Sequence, residues 1–360
     1  MNAPKVTVTM AVYNAQRYLR QAIESILSQT FGDFELLIVD DGSTDDSPSI
    51  IRTYSDVRVR VLRNEANRGV AYSRKRALLN AKGDYVAVLD ADDVSFPNRL
   101  ETQVACLDTD PDMVAVCSDY EVIDENGKPL QFNRKALDYI SVHWRLLFGN
   151  PIANSSTMFR RRMALEVGGY DETGLYGTED FDLWSRLAKR GGIARLDIPI
   201  IQYRQHPDSL LHKESSVFRL QLALEIVRNN IKSLTGQEVP LDVVRYLSEY
   251  AVADPFDPAT IECAYSTISL CASTIILKKA KTRADRLSIM SQLFNDLVRI
   301  FRRSPNVRRR SLAIALRASM IHSPDVIFTR KFLRFLWRMT APEGVRKYLH
   351  SYCPAWAQMG

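Results

Sequence analysis

The sequence lacks several features that define well-known protein classes. Its 5 cysteines are an odd number without CxxC spacing, which argues against a disulfide framework and a cysteine-based zinc cluster and favours a reducing compartment. The first residues lack an unbroken apolar stretch typical of a secretory signal, because Thr7, Thr9 and Asn14 interrupt it. No segment offers about 18 consecutive apolar residues, and residues 261–277 are short and hydroxyl-rich. We therefore expect a cytoplasmic chain that does not itself cross a membrane.

Glycine is also missing where the first strand turns into the first helix. The segment there reads AVYNAQRY (11–18), whereas dinucleotide-binding sheets and nucleotidyltransferases place a Gly-rich loop at this point. A P-loop pattern is absent from the whole sequence. These absences argue against a dehydrogenase, a nucleotidyltransferase and a P-loop nucleotidase.

The composition is that of an ordinary globular protein, with 46% hydrophobic and 25% charged residues. At 360 residues the chain is long enough for one large domain or two ordinary ones. Residues 1–210 carry 25 Lys and Arg against 30 Asp and Glu, a net −5, whereas the remainder carries 23 against 12, a net +11. We therefore predict a catalytic domain over residues 1–212 and a basic domain over residues 213–360.

Strand and helix patterns alternate along the first part of the chain, as in a βαβ sheet protein. The segment FELLIVD (34–40) is too continuously apolar to have a solvated face, which indicates a parallel strand covered on both sides. Asn14 is predicted to cap the first helix. Four strands are predicted, at Lys5–Val12, Phe34–Asp40, Val57–Leu62 and Tyr85–Leu89. Helices are predicted after Asn14, at Ser47–Tyr54 and at Val70–Ala81.

The following elements are less regular, and helix patterns dominate after residue 215. A hairpin is indicated by Met113–Asp124 followed by Asn126-Gly127. Further along we predict a helix at Leu137–Phe148, a strand at Ser155–Phe159, a Gly-rich loop at Gly168–Gly177, a helix at Phe181–Arg190 and an extended segment at Ile193–Tyr203. The C-terminal helices are predicted at Val217–Ile231, Leu241–Tyr250, Ile261–Lys279, Arg283–Phe301, Arg308–Ile321 and Phe328–Met339. The fold class is α/β: a Rossmann-like mixed sheet flanked by helices, with a mostly helical C-terminal region.

Acidic residues accumulate where the predicted strands end or a helix begins: Asp40 and Asp41, then Asp90, Asp92 and Asp93, then Glu179 and Asp180. Ligands of open α/β sheets bind at this edge. Like charges gathered there would repel one another unless a cation or hydrogen-bond donors accompany them. Asp90-Ala91-Asp92 offers hard oxygen ligands to Mg²⁺ or Mn²⁺. The alternative is an ordinary solvated Asp-rich turn, and VDDGSTD is likewise built of common turn formers.

Several motifs together resemble the family 2 glycosyltransferases, which have the GT-A fold and include bacterial polysaccharide and O-antigen transferases. The resemblance covers residues 5–210 and rests on VTVTMAVYNAQRYL, FELLIVDDGSTDDS, NRGVAYSRKRAL, AKGDYVAVLDADD, GLYGTEDFDLWSRL and YRQHPDS. It implies an inverting enzyme that uses a divalent metal and moves a sugar from a nucleotide diphosphate donor to a hydroxyl acceptor. We expect a UDP-sugar donor and a saccharide or lipid-linked saccharide acceptor in cell-surface polysaccharide synthesis.

The resemblance also assigns roles to individual residues. It implies donor binding by Val12, Tyr13, Asp40, Asp41, Arg68, Arg74, Asp90 and Asp92. Asp90 and Asp92 correspond to the metal ligands, and His206 lies where some members add a metal or phosphate contact. Asp180 corresponds to the catalytic base. Arg74 as an ordinary surface arginine and His206 as a structural histidine remain alternatives.

The basic C-terminal region suggests partners. Residues Arg299–Lys347 contain thirteen Lys and Arg but only Asp325 and Glu343 as acids, interleaved with aromatic and aliphatic residues. Such helices suit an anionic membrane surface, which would place the enzyme at the inner face of the cell membrane. A solvated basic face packed on the catalytic domain or on a second subunit is the alternative, and nucleic-acid binding is not expected. A non-catalytic, transferase-like carbohydrate-binding or membrane scaffold is the rival to an enzyme.

Overall fold

The computed structural model describes residues 3–133, 138–172, 177–207, 209, 216–250 and 258–303. The strands in these ranges are β1 Val6–Val12, β2 Phe34–Asp40, β3 Val59–Arg63, β4 Tyr85–Val88, β5 Val94–Ser95, β6 Met113–Ile123, β7 Pro129–Asn133, β8 Met158–Arg160 and β9 Gly192–Arg204. The helices are α1 Leu19–Leu27, α2 Ser47–Arg52, α3 Val70–Asn80, α4 Arg99–Thr109, α5 Tyr139–Leu146, α6 Arg161–Glu166, α7 Glu179–Leu187, α8 Ser216–Thr235, α9 Leu241–Leu247, α10 Pro258–Lys278 and α11 Arg283–Arg303.

Within the described residues the nine strands form one mixed sheet in the order β3-β2-β1-β4-β8-β6-β9-β5, with β7 paired to β6. Strands β3, β2, β1 and β4 are parallel to one another, β8 is antiparallel to both neighbours, and β9 is parallel to β6. The carboxyl ends of β2 and β4 therefore lie at one edge of the sheet, which brings Asp40 and Asp90 to that edge. The predicted α/β class with a mixed sheet is confirmed.

Helices cover both faces of the parallel strands. On one face, Leu36 and Ile38 of β2 join the apolar side of α1 in the main core. On the other face, Leu37 and Val39 pack with Ala77 of α3. All seven residues of β2 are buried. The prediction that FELLIVD is a strand covered on both sides is therefore confirmed, because a two-sided strand cannot alternate apolar and polar residues.

The prediction that Asn14 caps the first helix is wrong. Helix α1 begins at Leu19, and its N-cap residue, Tyr18, makes no capping bond with its side chain. Asn14 instead has φ +49°, in the left-handed region that Asn tolerates better than most residues. Its side-chain Oδ1 accepts a hydrogen bond from the backbone N–H of Thr44 at 2.8 Å. The true partner lies thirty positions away in sequence, beyond the reach of a local capping pattern.

The loops that follow β1 and β2 hold each other by reciprocal hydrogen bonds. The hydroxyl of Ser43 accepts from the N–H of Asn14 at 3.0 Å, and that of Ser47 accepts from Ala15 at 2.9 Å. The carboxylate of Asp45 accepts from the N–H of Gln16 at 3.0 Å. The turn formers of DGSTDD therefore join two loops at the carboxyl edge of the sheet, which fixes the position of both.

Two further segments differ from the predicted elements. Residues Asn154–Ser156 form a 3₁₀ turn, and the strand β8 starts only at Met158, although a strand was predicted from Ser155. The hydroxyls of Ser156 and Thr157 donate back to the carbonyls of Ala153 and Asn154, which closes the turn. Helices α4 and α6 and the two-residue strand β5 were not predicted.

Contacts divide the chain into two compact units, and the division in sequence falls between Asn230 and Ile231. The second unit contains α9, α10 and α11, with α10 packed on both of the others. The predicted boundary at residues 212–213 lies outside the described residues. The same holds for the predicted helices Arg308–Ile321 and Phe328–Met339 and for most of the basic tail.

Helix α10 contains a segment, Ala259–Lys278, that is long and apolar enough to cross a membrane by length and composition. The mean hydropathy of this apolar stretch is 1.4, and half of the stretch is buried inside the protein. A core helix of a soluble protein meets the same criteria, so this is weak evidence for a span. The expectation of a chain that does not cross a membrane stays a prediction.

We predict that Asn14→Ala lowers the free energy of unfolding of the first unit by about 1 to 3 kcal/mol. Alanine loses the bond to Thr44 and is strained at positive φ. Asn14→Gly loses the same bond without that strain, so it should cost less. Urea denaturation of both variants measures the difference, and equal effects of Ala and Gly would contradict it.

Candidate active site

The carboxylates of Asp40 and Asp41 are buried and engaged within the protein. Asp40 Oδ1 accepts from the N–H of Ser43 at 2.9 Å. Asp41 accepts three hydrogen bonds, from Asn64 Nδ2 at 2.6 Å and from the backbone N–H groups of Arg68 and Gly69, each at 2.9 Å. Asp41 therefore fixes the loop that leads into α3, and that loop carries Arg68.

Three other residues that were predicted to bind the donor lie near these loops. Val12 is buried at the end of β1, and its carbonyl accepts from the N–H of Asp41 at 2.7 Å. Tyr13 is 47% exposed. The exposed guanidinium of Arg68 lies 4.5 Å from the ring centroid of Tyr72, a cation–π distance. Of these three residues, Tyr13 and Arg68 can therefore offer side chains to a ligand, whereas Val12 can offer its backbone.

Asp90 follows β4 and is held by several donors. Its Oδ1 accepts from Arg74 Nη2 at 2.6 Å and from Asn154 Nδ2 at 3.1 Å. Its backbone N–H donates to the Ser155 hydroxyl at 3.0 Å. Burial alone would raise the pKa of Asp90, but the charge of Arg74 and these hydrogen bonds hold the pKa below its ordinary value. Asp90 is therefore held as an anion by the protein itself.

Asp92 and His206 lie together. Asp92 Oδ2 is 3.0 Å from His206 Nε2, and the His206 ring lies 4.8 Å from that of Tyr18. The Asp92 side chain is 32% exposed, so a ligand can reach its carboxylate. Two ligands at right angles, each about 2.1 Å from a cation, stand about 3 Å apart. The 3.0 Å separation of Asp92 and His206 is that of a hydrogen bond, and it also equals the spacing of two neighbouring ligands around an octahedral Mn²⁺ or Mg²⁺.

The predicted metal residues are not all together. Among the described residues no group of three or more His, Cys, Asp or Glu side chains is arranged to hold a metal ion. Asp90 is paired with Arg74, whereas Asp92 pairs with His206. Protein ligands alone would therefore supply only part of a coordination sphere, which leaves positions for phosphate or water oxygens.

The sequence analysis missed Arg204, which anchors the Asp92 loop. Its Nε donates to the carbonyl of Asp92 at 2.8 Å, and its backbone N–H donates to Asp93 Oδ1 at 2.8 Å. Its Nη2 donates to Gln21 Oε1 at 2.6 Å, and the guanidinium lies 4.6 Å from the Tyr18 ring centroid. The available signal was an arginine at the end of the extended segment, two residues before His206.

Asp93 and Arg99 lie beneath the same loop and are both buried. Burial, followed by the charges of Asp92 and Asp90, raises the pKa of Asp93 well above its ordinary value. Burial lowers the pKa of Arg99 to about 9, although Asp93 and Asp90 oppose the change. Arg99 Nη2 donates to the carbonyl of Val88 at 2.7 Å. Arg99 therefore places a positive charge below the acidic loop, and no sequence pattern pointed to it.

Glu179 begins α7 and pairs with Arg74. Its side chain is 2% exposed, and Arg74 Nη1 contacts Glu179 Oε1 while Nη2 contacts Asp90. Burial would lower the pKa of Arg74, but Asp90 and Glu179 raise it above its ordinary value. One guanidinium thus joins the end of β4 to the start of α7.

Asp180, the predicted base, is next to Glu179 but has different contacts. Its Oδ2 accepts from Asn150 Nδ2 at 3.2 Å, and its Oδ1 accepts from the N–H of Phe181 at 2.6 Å. Burial, followed by the charge of Glu179, raises the pKa of Asp180 to about 7, with Arg74 opposing the rise. A carboxylate with that pKa can accept a proton near neutral pH.

The structure therefore brings the predicted residues together in separate groups. Arg74, Asp90 and Glu179 form one connected group, with Asp180 beside Glu179 in the chain. Asp92 and His206 form a second group. Asp40 is the last residue of β2, Asp41 follows it, and Arg68 lies in the loop before α3.

Known proteins give independent information. A family model described as Glycosyl transferase family 2 matches residues 7–168. The putative glycosyltransferase EpsE of Bacillus subtilis is 35% identical over 194 residues, which are 53% of this chain and 69% of EpsE. An uncharacterized glycosyltransferase of Methanocaldococcus jannaschii is 35% identical over 191 residues, which are 52% of this chain and 65% of that protein.

Solved structures share the fold. The crystal structure of S. aureus TarS 1-349 in complex with UDP-GlcNAc has a TM-score of 0.53 at 16% identity, and the match covers 87% of this chain and 89% of that chain. Identity this low shows the fold alone, and the predicted GT-A fold is confirmed by it. Because the chain aligns at 35% identity with 69% of EpsE, and because the family model spans β1 to β8, it belongs to the family 2 glycosyltransferases and is an enzyme.

Proposed function

We propose that this enzyme transfers a sugar from a nucleotide diphosphate donor, a UDP-sugar, to a hydroxyl of a saccharide or lipid-linked saccharide, with inversion. The observation that carries the proposal is Asp180, a partly buried carboxylate at the start of α7 whose pKa is raised to about 7. Family membership favours this enzyme over the non-catalytic scaffold.

Asp180 suits the role of general base by contacts and surroundings. Its neighbours Phe181, Leu183 and Trp184 are buried apolar residues, which keep bulk water away from α7. The hydrogen bond from Asn150 orients the carboxylate. As the new C–O bond forms at the anomeric carbon, the acceptor hydroxyl passes its proton to Asp180 and the nucleotide diphosphate leaves. Asp180 is assigned as the base, and no second carboxylate is assigned as a nucleophile. This supports a single displacement at the anomeric carbon, which inverts its configuration.

Asp92 and His206 are the residues that we propose hold a divalent cation, Mn²⁺ or Mg²⁺. Family 2 enzymes often use such a metal. A bound cation would supply charge neutralisation for the leaving diphosphate. Asp90, engaged by Arg74 and Asn154, contributes negative charge close to Asp92. This differs from the sequence-based hypothesis, in which Asp90 and Asp92 bind the metal as a pair.

A UDP-sugar is the donor that we favour. The shared fold with S. aureus TarS, which was solved with UDP-GlcNAc, supports this choice. Tyr13, partly exposed beside the loops of Asp40 and Asp41, offers a ring face for a base. The buried carboxylate of Asp41 already accepts three hydrogen bonds, so its contribution to the base site is chiefly through the loop that it holds.

Partners beyond the donor stay proposals. The basic tail from Arg299 supports binding to an anionic membrane surface from the cytoplasmic side, where a lipid-linked acceptor would be available. We also propose a role in the synthesis of cell-surface polysaccharide and assembly into a homo-oligomer, as expected from the sequence analysis. Nucleic-acid binding is not proposed.

Removing the base tests the core of this proposal. We expect Asp180→Asn to lower kcat by about 10² to 10⁴-fold, because the acceptor proton loses its destination, while UDP binding with Mn²⁺ changes little. Sugar transfer from a panel of UDP-sugars and calorimetry of UDP measure the two quantities. Asp182→Asn, on the same helix but paired with Arg186, is the matched control and should retain activity. Full activity of Asp180→Asn would reject the base assignment.

The pH dependence follows from the same group. A base works only when deprotonated, and the pKa of Asp180 is raised to about 7. We therefore expect kcat/KM to fall tenfold per pH unit below about 7 and to level off above it. A rate profile that stays flat down to pH 5 would show that Asp180 is not the titrating group.

Loss of a metal ligand should weaken cation binding. We expect His206→Ala and Asp92→Asn each to reduce the affinity for Mn²⁺ at least about tenfold in the presence of UDP. Electron paramagnetic resonance of free Mn²⁺ measures this affinity. The control is Glu125→Gln, a half-exposed carboxylate paired with Arg17, which should bind Mn²⁺ normally. Unchanged Mn²⁺ binding by both site variants would remove these residues from the cation site.

A further inference from the structure

Arg74 makes a forked contact between two elements that carry different parts of the site. It lies in α3, and its side chain is 11% exposed. Nη2 contacts Asp90 Oδ1 at 2.6 Å, and Nη1 contacts Glu179 Oε1. Asp90 belongs to the loop after β4, whereas Glu179 opens α7 and directly precedes Asp180. A single guanidinium therefore joins the loop after β4 to the start of α7, the helix that carries Asp180.

We propose that Arg74 is a positioning residue that commits Glu179 to an ion pair and leaves the adjacent Asp180 as the proton acceptor, rather than being a direct donor contact. The inference rests on the proposed function, because it takes Asp180 as the base. It explains how two neighbouring carboxylates at one helix terminus serve different purposes.

The chemistry of the guanidinium supports this role. Its planar fork presents separate N–H groups to two carboxylates at once, whereas a lysine ammonium is a single point charge. Both carboxylates that it contacts come from elements outside α3, so the contact also holds α7 against the end of β4. Because the two Nη groups of Arg74 already contact protein carboxylates, the guanidinium is poorly placed to bind a diphosphate.

The neighbours of Asp180 make the proposal testable through its proton affinity. The groups whose charges act on it are Glu179 on its own helix, Arg74 of α3 and Asp90 after β4. The Tyr170 hydroxyl, which precedes α7, is also buried near this group, and Asn150 donates a neutral hydrogen bond. Glu179 raises the pKa of Asp180 and Arg74 lowers it. Removing the charge of Glu179 should therefore lower that pKa, and removing the charge of Arg74 should raise it.

The experiment follows the carboxyl carbon of Asp180 by NMR in the full chain with ¹³C-labelled aspartate, and the signal missing from Asp180→Asn gives the assignment. No substrate is needed. We expect Arg74→Gln to raise the apparent pKa of Asp180 by about one unit or more, and Glu179→Gln to lower it by a similar amount. The double variant should return it towards the wild-type value, because one charge of each sign is removed.

Binding of UDP with Mn²⁺ by calorimetry separates the proposal from direct donor contact. Glu179→Gln breaks only the arm of the fork on α7 and should leave the UDP affinity within about threefold, while kcat falls and its acidic limb moves to lower pH. A UDP affinity that drops tenfold or more in Arg74→Gln, with the pKa of Asp180 unmoved, would overturn the proposal in favour of a donor contact.

Further outcomes are equally decisive. If Arg74→Gln does not fold by thermal melting, Glu179→Gln and Arg74→Lys carry the test, and an Asp180 pKa unmoved in both would overturn the proposal. Arg74→Lys should retain part of the electrostatic effect but lose the bridge, so kcat should fall more than the pKa moves. If Asp180→Asn keeps full activity, the proposed function fails, and the NMR shifts still report on the ion pair separately.

Discussion

Compensation of gathered negative charge is the constraint on which this site depends. Strand and helix ends bring Asp90, Asp92, Asp93 and Glu179 to one region, where like charges would repel each other. The protein answers with arginines from separate elements. They are Arg74 of α3, which pairs with Asp90 and Glu179, Arg99 of α4, which lies beneath the loop, and Arg204 of β9, which binds the backbone around Asp92. These side chains relieve part of the repulsion, and the raised pKa of Asp93 shows that the charges of Asp92 and Asp90 still act on it.

The same principle gives neighbouring acids different properties. Glu179 contacts a guanidinium, whereas Asp180 accepts neutral hydrogen bonds from Asn150 and from the N–H of Phe181 and has a pKa raised to about 7. Asp90 is stabilised as an anion by Arg74, while Asp93, directly after the partly exposed Asp92, is buried and has a raised pKa. Identity of the side chain therefore says little about its proton affinity here, since contacts from other elements decide it.

Hydrogen bonds between the loops after β1 and β2 support this arrangement. Asn14 and the turn after β2 hold each other through backbone amides, and Asp41 fixes the loop that leads into α3. Helix α3 then carries Arg74 into the site. The hydrogen bonds of Asp41 thus help to set where α3 begins, and with it the position of Arg74.

The sequence by itself determined the alternating strands and helices, the two-sided burial of FELLIVD, the family and the candidate acids, because periodicity and motifs are local properties of the chain. The tertiary structure decided which side chains meet. Asn14 accepts a hydrogen bond from a loop thirty positions away instead of capping α1. Asp92 pairs with His206, which follows β9, and Asp90 accepts a hydrogen bond from Arg74. Arg204 and Arg99 were missed for the same reason: their roles depend on burial beside acids brought from distant segments, and no pattern of spacing along the chain records that proximity.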